Sequence, residues 1–256
     1  MTAFAPAAGA AAATVIATDS AGLDSREISL ATPRGPLPLY YAKPQGGSAL
    51  PIVLVAQEIF GLHAHIRDVV RRFAKQGYFA LAPDYFAGYG DPLAAPDIDA
   101  IREIVARTPD WTTLNDFDAA LAFAAESGGD ATRAAITGFC WGGRIAWLYA
   151  AQCPRLCACI PWYGRLDGPH SETQPRWPLD IAADLRVPAL GLYGGADPSI
   201  PLDLVDKMRA RLKAPGEIIV YDDAPHAFFA DYRESYRAAP AADAFARTLA
   251  FLRARV

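Results

Sequence analysis

From about residue 26 onward, short apolar runs alternate with segments whose hydrophobic residues recur at helical spacing. Nothing else narrows the fold so far, because a strand followed by an amphipathic helix is the repeating unit of a mostly parallel sheet layered with helices. Glu27–Leu30 and Leu37–Ala42 read as an opening hairpin joined through Pro33-Arg34-Gly35-Pro36. Ile52–Ala56 is a continuous apolar run, as expected of a strand buried on both faces. Ile66, Val69, Val70 and Phe73 form one helical stripe, closed by Gly77 just past the helix end. Tyr78–Ala82 is the next strand, stopped by Pro83, and Asp91–Pro96 is a loop. Ile98–Ala106 and Trp111–Ala125 read as helices, the second with Trp111, Leu114, Phe117 and Leu121 spaced to enter the core.

Ala134–Thr137 is a small strand, and Arg144–Ala151 continues as a helix. Cys159–Tyr163 and Ala189–Tyr193 are strands separated by a Pro-rich stretch, Gly164–Pro188, of little periodicity. Pro201–Leu212 is a helix with proline in its first turn, Glu217–Tyr221 the last strand, and Ala241–Arg253 a closing helix. The expectation is one α/β domain over residues 26–256, its sheet of about eight strands mostly parallel, with helices on both faces. A length of 256 residues suits one such domain better than two small ones.

Composition bounds the partners. A chain 52% hydrophobic can bury a sizeable core, and a net charge of −4 argues against a nucleic-acid partner. No basic cluster invites an anionic membrane surface, and no apolar run approaches the roughly 18–20 residues that span a bilayer. A small molecule is the expected partner, acted on by a monomer or small homo-oligomer. Residues 1–25 are Ala-rich and carry no Lys or Arg, so they lack the positive start of a secretory signal. They read as a disordered tail or a trimmed leader, which makes the cytoplasm the expected location and leaves the periplasm open. Cys140, Cys153, Cys157 and Cys159 do not resemble a disulfide framework, and C-x3-C-x-C with no nearby His is not a usual zinc pattern. No metal is expected.

The chemistry lies in Gly138-Phe139-Cys140-Trp141-Gly142-Gly143, set between a strand and a helix. Gly-x-Cys-x-Gly in that setting is a nucleophile elbow with cysteine in place of serine. The turn needs strained backbone angles, side chains at Gly138 and Gly142 would collide with neighbours, and the helix N-terminus stabilises a thiolate. By itself the motif also fits a glycine-rich turn holding an inert buried cysteine. Two further residues fall where a triad on such a sheet requires them. Asp197 directly follows the strand ending at Tyr193, and His226 follows the strand ending at Tyr221, both at carboxyl ends of strands. Asp222 and Asp223 compete as the acid, but they continue the last strand, so Asp197 is preferred. His63 and His65 start a helix as caps, supporting or exposed groups, and His170 reads as a solvated loop residue.

With these residues in view, the chain resembles the dienelactone hydrolases, also called carboxymethylenebutenolidases, of the α/β-hydrolase fold. The likeness runs from about Glu27 to the C-terminus and rests on four motifs in order. They are Gln57-Glu58-Ile59-Phe60-Gly61, the Cys140 elbow, Tyr193-Gly194-Gly195-Ala196-Asp197, and His226-Ala227-Phe228 followed by Asp231-Tyr232-Arg233. The resemblance implies a Cys140–His226–Asp197 triad and hydrolysis of an enol-lactone-like ester without metal or organic cofactor. It also implies that Glu58 contacts the resting cysteine and helps control thiolate formation; a helix-start carboxylate bonded to backbone amides is the plainer alternative. The N–H groups of Ile59 and Trp141 become the expected oxyanion hole.

Two departures bear on the substrate. Family members that cleave dienelactone hold its carboxylate with two arginines, where this chain has Phe86-Ala87-Gly88 and Ala230. Loss of bidentate arginines from a carboxylate site points to a more neutral or bulkier ester. Arg144, Arg165 or Arg233 could substitute from other directions, and Phe60, Phe86, Tyr89, Trp141, Trp162, Tyr163 and Phe228 are candidates to line an apolar pocket. Two other readings stay open: a non-catalytic ligand-binding module on the same scaffold, and a redox role for Cys140 with a resolving cysteine among the other three.

Overall fold

A computed structural model describes residues 4–256. Its strands are β1 (Leu23–Thr32), β2 (Gly35–Pro44), β3 (Leu50–Ala56), β4 (Phe79–Pro83), β5 (Gly129–Phe139), β6 (Ala158–Trp162), β7 (Ala189–Gly194) and β8 (Gly216–Tyr221). They form one eight-stranded sheet in the order β1-β2-β4-β3-β5-β6-β7-β8. The pairs β1–β2 and β2–β4 are antiparallel, and every later pair is parallel. Strands β4, β6 and β7 are buried along their whole length, which is why they read as unbroken apolar runs.

The helices are α1 (Ala64–Lys75), α2 (Ile98–Arg107), α3 (Asp110–Glu126), α4 (Trp141–Gln152), α5 (Pro178–Ile181), α6 (Leu202–Arg211) and α7 (Ala238–Arg253). From β3 the chain crosses one way to β4, then back over β3 to β5 and onward. Right-handed crossovers therefore place α1 on one face and α3 and α4 on the other. Side chains agree: Phe117 of α3 packs on Tyr149 of α4, and Phe73 of α1 packs on Phe245 of α7. The expected architecture, a mostly parallel sheet of eight strands covered on both faces, is the one found. Strand order reverses at β3, so the crevice for a ligand opens beyond the carboxyl ends of β3 and β5. There Ala56 pairs with Gly138, and the Glu58 loop and the Cys140 turn emerge side by side.

Three local expectations change. Trp111 is 63% exposed, not core. The buried stripe of α3 is Asp110, Thr113, Phe117, Ala120 and Ala124, because Asp110 faces inward to Arg144 and rotates Trp111 to the surface. The Pro-rich stretch holds one short helix, α5, capped by Asp180, which accepts from the Trp177 N–H at 2.7 Å.

The third change concerns the tail expected to be disordered over residues 1–25. β1 already opens at Leu23, and the preceding segment lies as a strap against the body. Phe4 stacks on Tyr232 with centroids 4.9 Å apart and Ala5 is fully buried. The Ala12 N–H donates to Tyr232 O at 2.9 Å, and the Thr14 hydroxyl to Asp231 O at 2.6 Å. The Thr18 N–H donates to the Asp68 carboxylate at 2.6 Å. An alanine-rich segment has little to bury alone; the acceptors that order it lie far away in sequence, where composition cannot reveal them. Met1–Ala3, part of the same expectation, lie outside the described residues. Among the described residues no helix is long and apolar enough to cross a membrane.

Removing residues 1–18 forfeits one aromatic stack and these hydrogen bonds, offset by the entropy regained, a net loss of about 2 kcal/mol. For a chain of this size the melting temperature should fall by roughly 4–8 °C. An unchanged melt would show that the strap adds no stability.

Candidate active site

Strand β5 ends at Phe139 and helix α4 begins at Trp141, leaving Cys140 alone to turn the chain at φ +55°, ψ −116°. Such angles in a residue with a Cβ persist only where neighbours over-determine them. Here backbone meets backbone: a Cβ on Gly138 would lie 2.0 Å from Gly142 O, and one on Gly142 would lie 2.1 Å from Ala56 O. The Cys140 N–H is fixed to Trp162 O at 3.0 Å. The sulfur consequently projects from a half-buried position at the start of α4.

Asp197 and His226 reach the same rim from the loops after β7 and β8. The His226 Nδ1 lies 2.6 Å from Asp197 Oδ2, so Nδ1 carries the proton and Nε2 faces away. Asp197 Oδ1 accepts from the N–H and hydroxyl of Ser199 at 2.8 and 2.6 Å. Asp222 and Asp223 are exposed and make no bond to His226 among the described residues, so of the three aspartates it is Asp197 that meets the imidazole. Burial works against charge on His226, but the Cys140 sulfur and then Asp197 outweigh it and raise the imidazole to about 10. Burial works against charge on Asp197 too, and its bond to His226 prevails to lower it.

Cys140, Ser199 and His226 line a cavity of about 420 Å³, with Ile59, Phe60 and Trp141. The amides of Ile59 and Trp141 have no hydrogen-bond partner among the described residues, which leaves both donors free beside the cavity that Cys140 lines. Trp177, Arg165 and Arg233 also line the cavity. Arg165 and Arg233 are among the cations expected from the sequence, whereas no motif marked Trp177, which comes from the Pro-rich stretch. Ser199 was equally unforeseen, although a serine two residues after an aspartate in a loop is a recognisable turn signal.

Most of the other expected lining residues lie elsewhere. Phe86, Trp162, Tyr163 and Phe228 are fully buried behind the cavity, and the Tyr89 hydroxyl bonds Thr112 at 3.0 Å. Arg144 is also fully buried, forked onto Asp110 at 2.6 and 2.7 Å and held between the rings of Trp141 and Trp177. It braces the cavity wall and is not a substrate ligand. The sequence offers these residues as candidates alongside Phe60 and Trp141 because a strand end near the rim looks alike whether its side chains face the cavity or the core.

Glu58 is fully buried, yet its carboxylate does not bond Cys140. Its Oε2 accepts from the Tyr232 hydroxyl at 2.9 Å and from His63 Nε2 at 3.3 Å, while Oε1 has no partner among the described residues. Against the cost of burial, His63 holds the carboxyl down to about 2. His63 and His65 are thus buried supporting groups, and His170 is exposed with Asp180 2.9 Å away. Cys153 caps the far end of α4, about 20 Å from Cys140 at ~1.5 Å per residue, well beyond the ~7 Å Cα limit for a disulfide. All four cysteines are free.

The family model of the dienelactone hydrolases matches residues 37–256. The chain belongs to the dienelactone hydrolase family. It is a hydrolase of the ester and lactone type with the α/β-hydrolase fold. A relative from Methylorubrum extorquens, provisionally named a carboxymethylenebutenolidase, is 51% identical over 93% of this chain and 83% of its own length. One from Escherichia coli K12 with the same provisional name is 49% identical, covering 96% of this chain and 93% of the relative. A crystal structure from Klebsiella pneumoniae, provisionally described as a dienelactone hydrolase, shares 48% identity and superposes with a TM-score of 0.88 over 90% of this chain and 98% of that one.

Because His226 titrates above its ordinary 6.5, its charged form stabilises the fold fully below that value, and the contribution is lost as pH rises through about 10. In an NMR titration of the four histidines, one imidazole should keep its proton well above pH 7. Cys140→Ala, which removes the main favourable influence, should bring that midpoint down. A His226 midpoint near 6.5 in both proteins would show that the sulfur does not act on it.

Proposed function

We propose that this hydrolase cleaves a small activated ester or lactone by covalent catalysis, with Cys140 as nucleophile, His226 as general base and Asp197 as its orienting acid. The observation carrying this reading is that the sulfur, the imidazole and two unpaired amides open onto one cavity. His226 Nε2 takes the Cys140 thiol proton, the resulting thiolate attacks the carbonyl carbon, and the electron pair moves to an oxygen held by the N–H groups of Ile59 and Trp141. As the carbonyl reforms, the alkoxide or enolate leaves and takes a proton from His226, giving a thioester. His226 then removes a proton from water, whose oxygen displaces the sulfur and restores the thiolate. Asp197 keeps the proton on Nδ1 and stabilises the imidazolium throughout. Enol and phenol leaving groups suit a sulfur nucleophile better than amines, which makes peptides poor substrates.

Glu58 makes no bond to Cys140, so in this scheme it acts on the resting sulfur only through its charge, with Tyr232 and His63 holding it in place. The substrate is proposed to differ from dienelactone itself, since neither family arginine position carries a cation: Phe86-Ala87-Gly88 and Ala230 stand there. Phe60, Trp141 and Trp177 provide an apolar wall. One observation favours a second reading. Arg165 and Arg233 line the cavity, each near an aromatic ring and neither paired with a carboxylate among the described residues. They would suit a carboxylate reaching in from another side.

Turnover of phenyl acetate should fall at least about a thousandfold in Cys140→Ala, and by roughly 10²–10⁴ in Asp197→Asn, while Asp222→Asn stays near the parent. Cys140→Ala with parental activity would end the covalent scheme. Comparing neutral phenyl esters with carboxylate-bearing enol lactones decides between the two substrate readings. A kcat/KM that strongly favours the anions and collapses in Arg165→Ala or Arg233→Ala supports the second.

A further inference from the structure

A buried phenol beside the proposed catalytic residues remains unused. Tyr163 is fully buried and its hydroxyl has no hydrogen-bond partner among the described residues. Most buried hydroxyls find one, so an orphan requires an explanation. Tyr85, the other buried phenol near Cys140, is already occupied: its hydroxyl donates to Gln57 O at 2.5 Å.

The backbone of Tyr163 is also strained, with φ at +37° for a residue bearing a bulky ring. Three neighbours impose this. Residue 162 is bound to the elbow through the Cys140 N–H, and the Tyr163 N–H is bound to Leu192 O at 2.7 Å. On the other side, Gly164 lies so close to α4 that a Cβ there would be 2.4 Å from the Gly143 carbonyl carbon. The same packing that sets the nucleophile therefore sets Tyr163. Its ring meets that of His226 edge-on, with centroids 5.2 Å apart.

We propose that Tyr163 is a positioning residue for the Cys140 sulfur, its O–H donating a hydrogen bond to the sulfur whenever that atom carries negative charge. This rests on the reading of Cys140 as nucleophile. The bond orients the thiolate toward the substrate carbonyl and receives it again when it leaves the thioester. No proton leaves the phenol: burial first, then Glu58 and Cys140, keep it protonated against the opposing Arg233. Glu58 Oε1 is the competing acceptor, since it too is buried without a donor. Glu58 already receives Tyr232 and His63 on its other oxygen, whereas the sulfur is the atom whose charge appears and disappears through the cycle.

Tyr163→Phe deletes only the hydroxyl. We expect kcat for a phenyl ester to fall about 10–100-fold, with KM changed less than about twofold. The thiolate absorbance at 240 nm and pH 7, taken as the difference from Cys140→Ala in each background, should drop by half or more. The melting temperature at pH 7 should stay within about 4 °C of the parent, because only molecules with a charged sulfur lose a bond and no other buried group is left unpaired. Parental kcat and parental thiolate absorbance in Tyr163→Phe would overturn the proposal, as would a lower melting temperature with unchanged kcat. The kinetic loss should persist in a Glu58→Gln background; its disappearance there would show that Tyr163 acts on Glu58 and not on sulfur. If Cys140→Ala itself retains full activity, the nucleophile assignment fails, an outcome distinct from a silent Tyr163→Phe.

Discussion

Everything at the reactive rim depends on how closely the β5–α4 turn presses against its neighbours. Gly138 touches Gly142, Gly142 touches the carbonyl of Ala56 at the end of β3, and Gly143 touches Gly164 beyond β6. These contacts leave no room for a single methyl group, so residue 140 has one available conformation. Rigid positioning of this kind is what covalent catalysis needs, because the attacking atom and the oxyanion donors must keep a fixed relation. The amides of Ile59 and Trp141 sit on the two segments that this contact brings together.

Behind the turn lies a layer of buried charge. Glu58 is held by Tyr232 and His63; Asp231 is held by Arg72; Asp68 receives Arg71, Arg72 and the N-terminal strap. Buried charges are tolerable only when paired and hydrogen-bonded, which ties α1, the loop after His226 and residues 4–18 into one unit. The strap is thereby more than a cover: Phe4 lies on Tyr232, and Tyr232 donates to Glu58. The opposite wall uses the same device once more. Arg144 and Asp110 neutralise each other while Trp141 and Trp177 sandwich the guanidinium, so a cation that a motif search would assign to substrate is spent on rigidity.

Much of this was legible in the chain itself. Apolar runs and helical stripes are local patterns, and they located all eight strands and every helix but the short α5. Strand–elbow–helix is local as well, and the order of the proposed triad follows from which strand ends carry an Asp and a His. Where legibility failed, the deciding partner was distant. Trp111 is turned outward by Arg144, thirty-three residues away in the chain, and the Ala-rich segment is ordered by Asp68, Asp231 and Tyr232.

The sequence alone determined the layer order of the fold, the strand–turn–helix motif around Cys140 and the candidate acid and base, because each depends on neighbours in the chain or on strand order. Only tertiary structure decided which side chains face the cavity, which arginine is sequestered and which remain free, and which hydroxyl lacks a partner. Those properties depend on the direction of a side chain within a packed interior. A direction is set by whatever atoms arrive from elsewhere, and the same tyrosine, arginine or tryptophan reads identically in sequence whichever way it points.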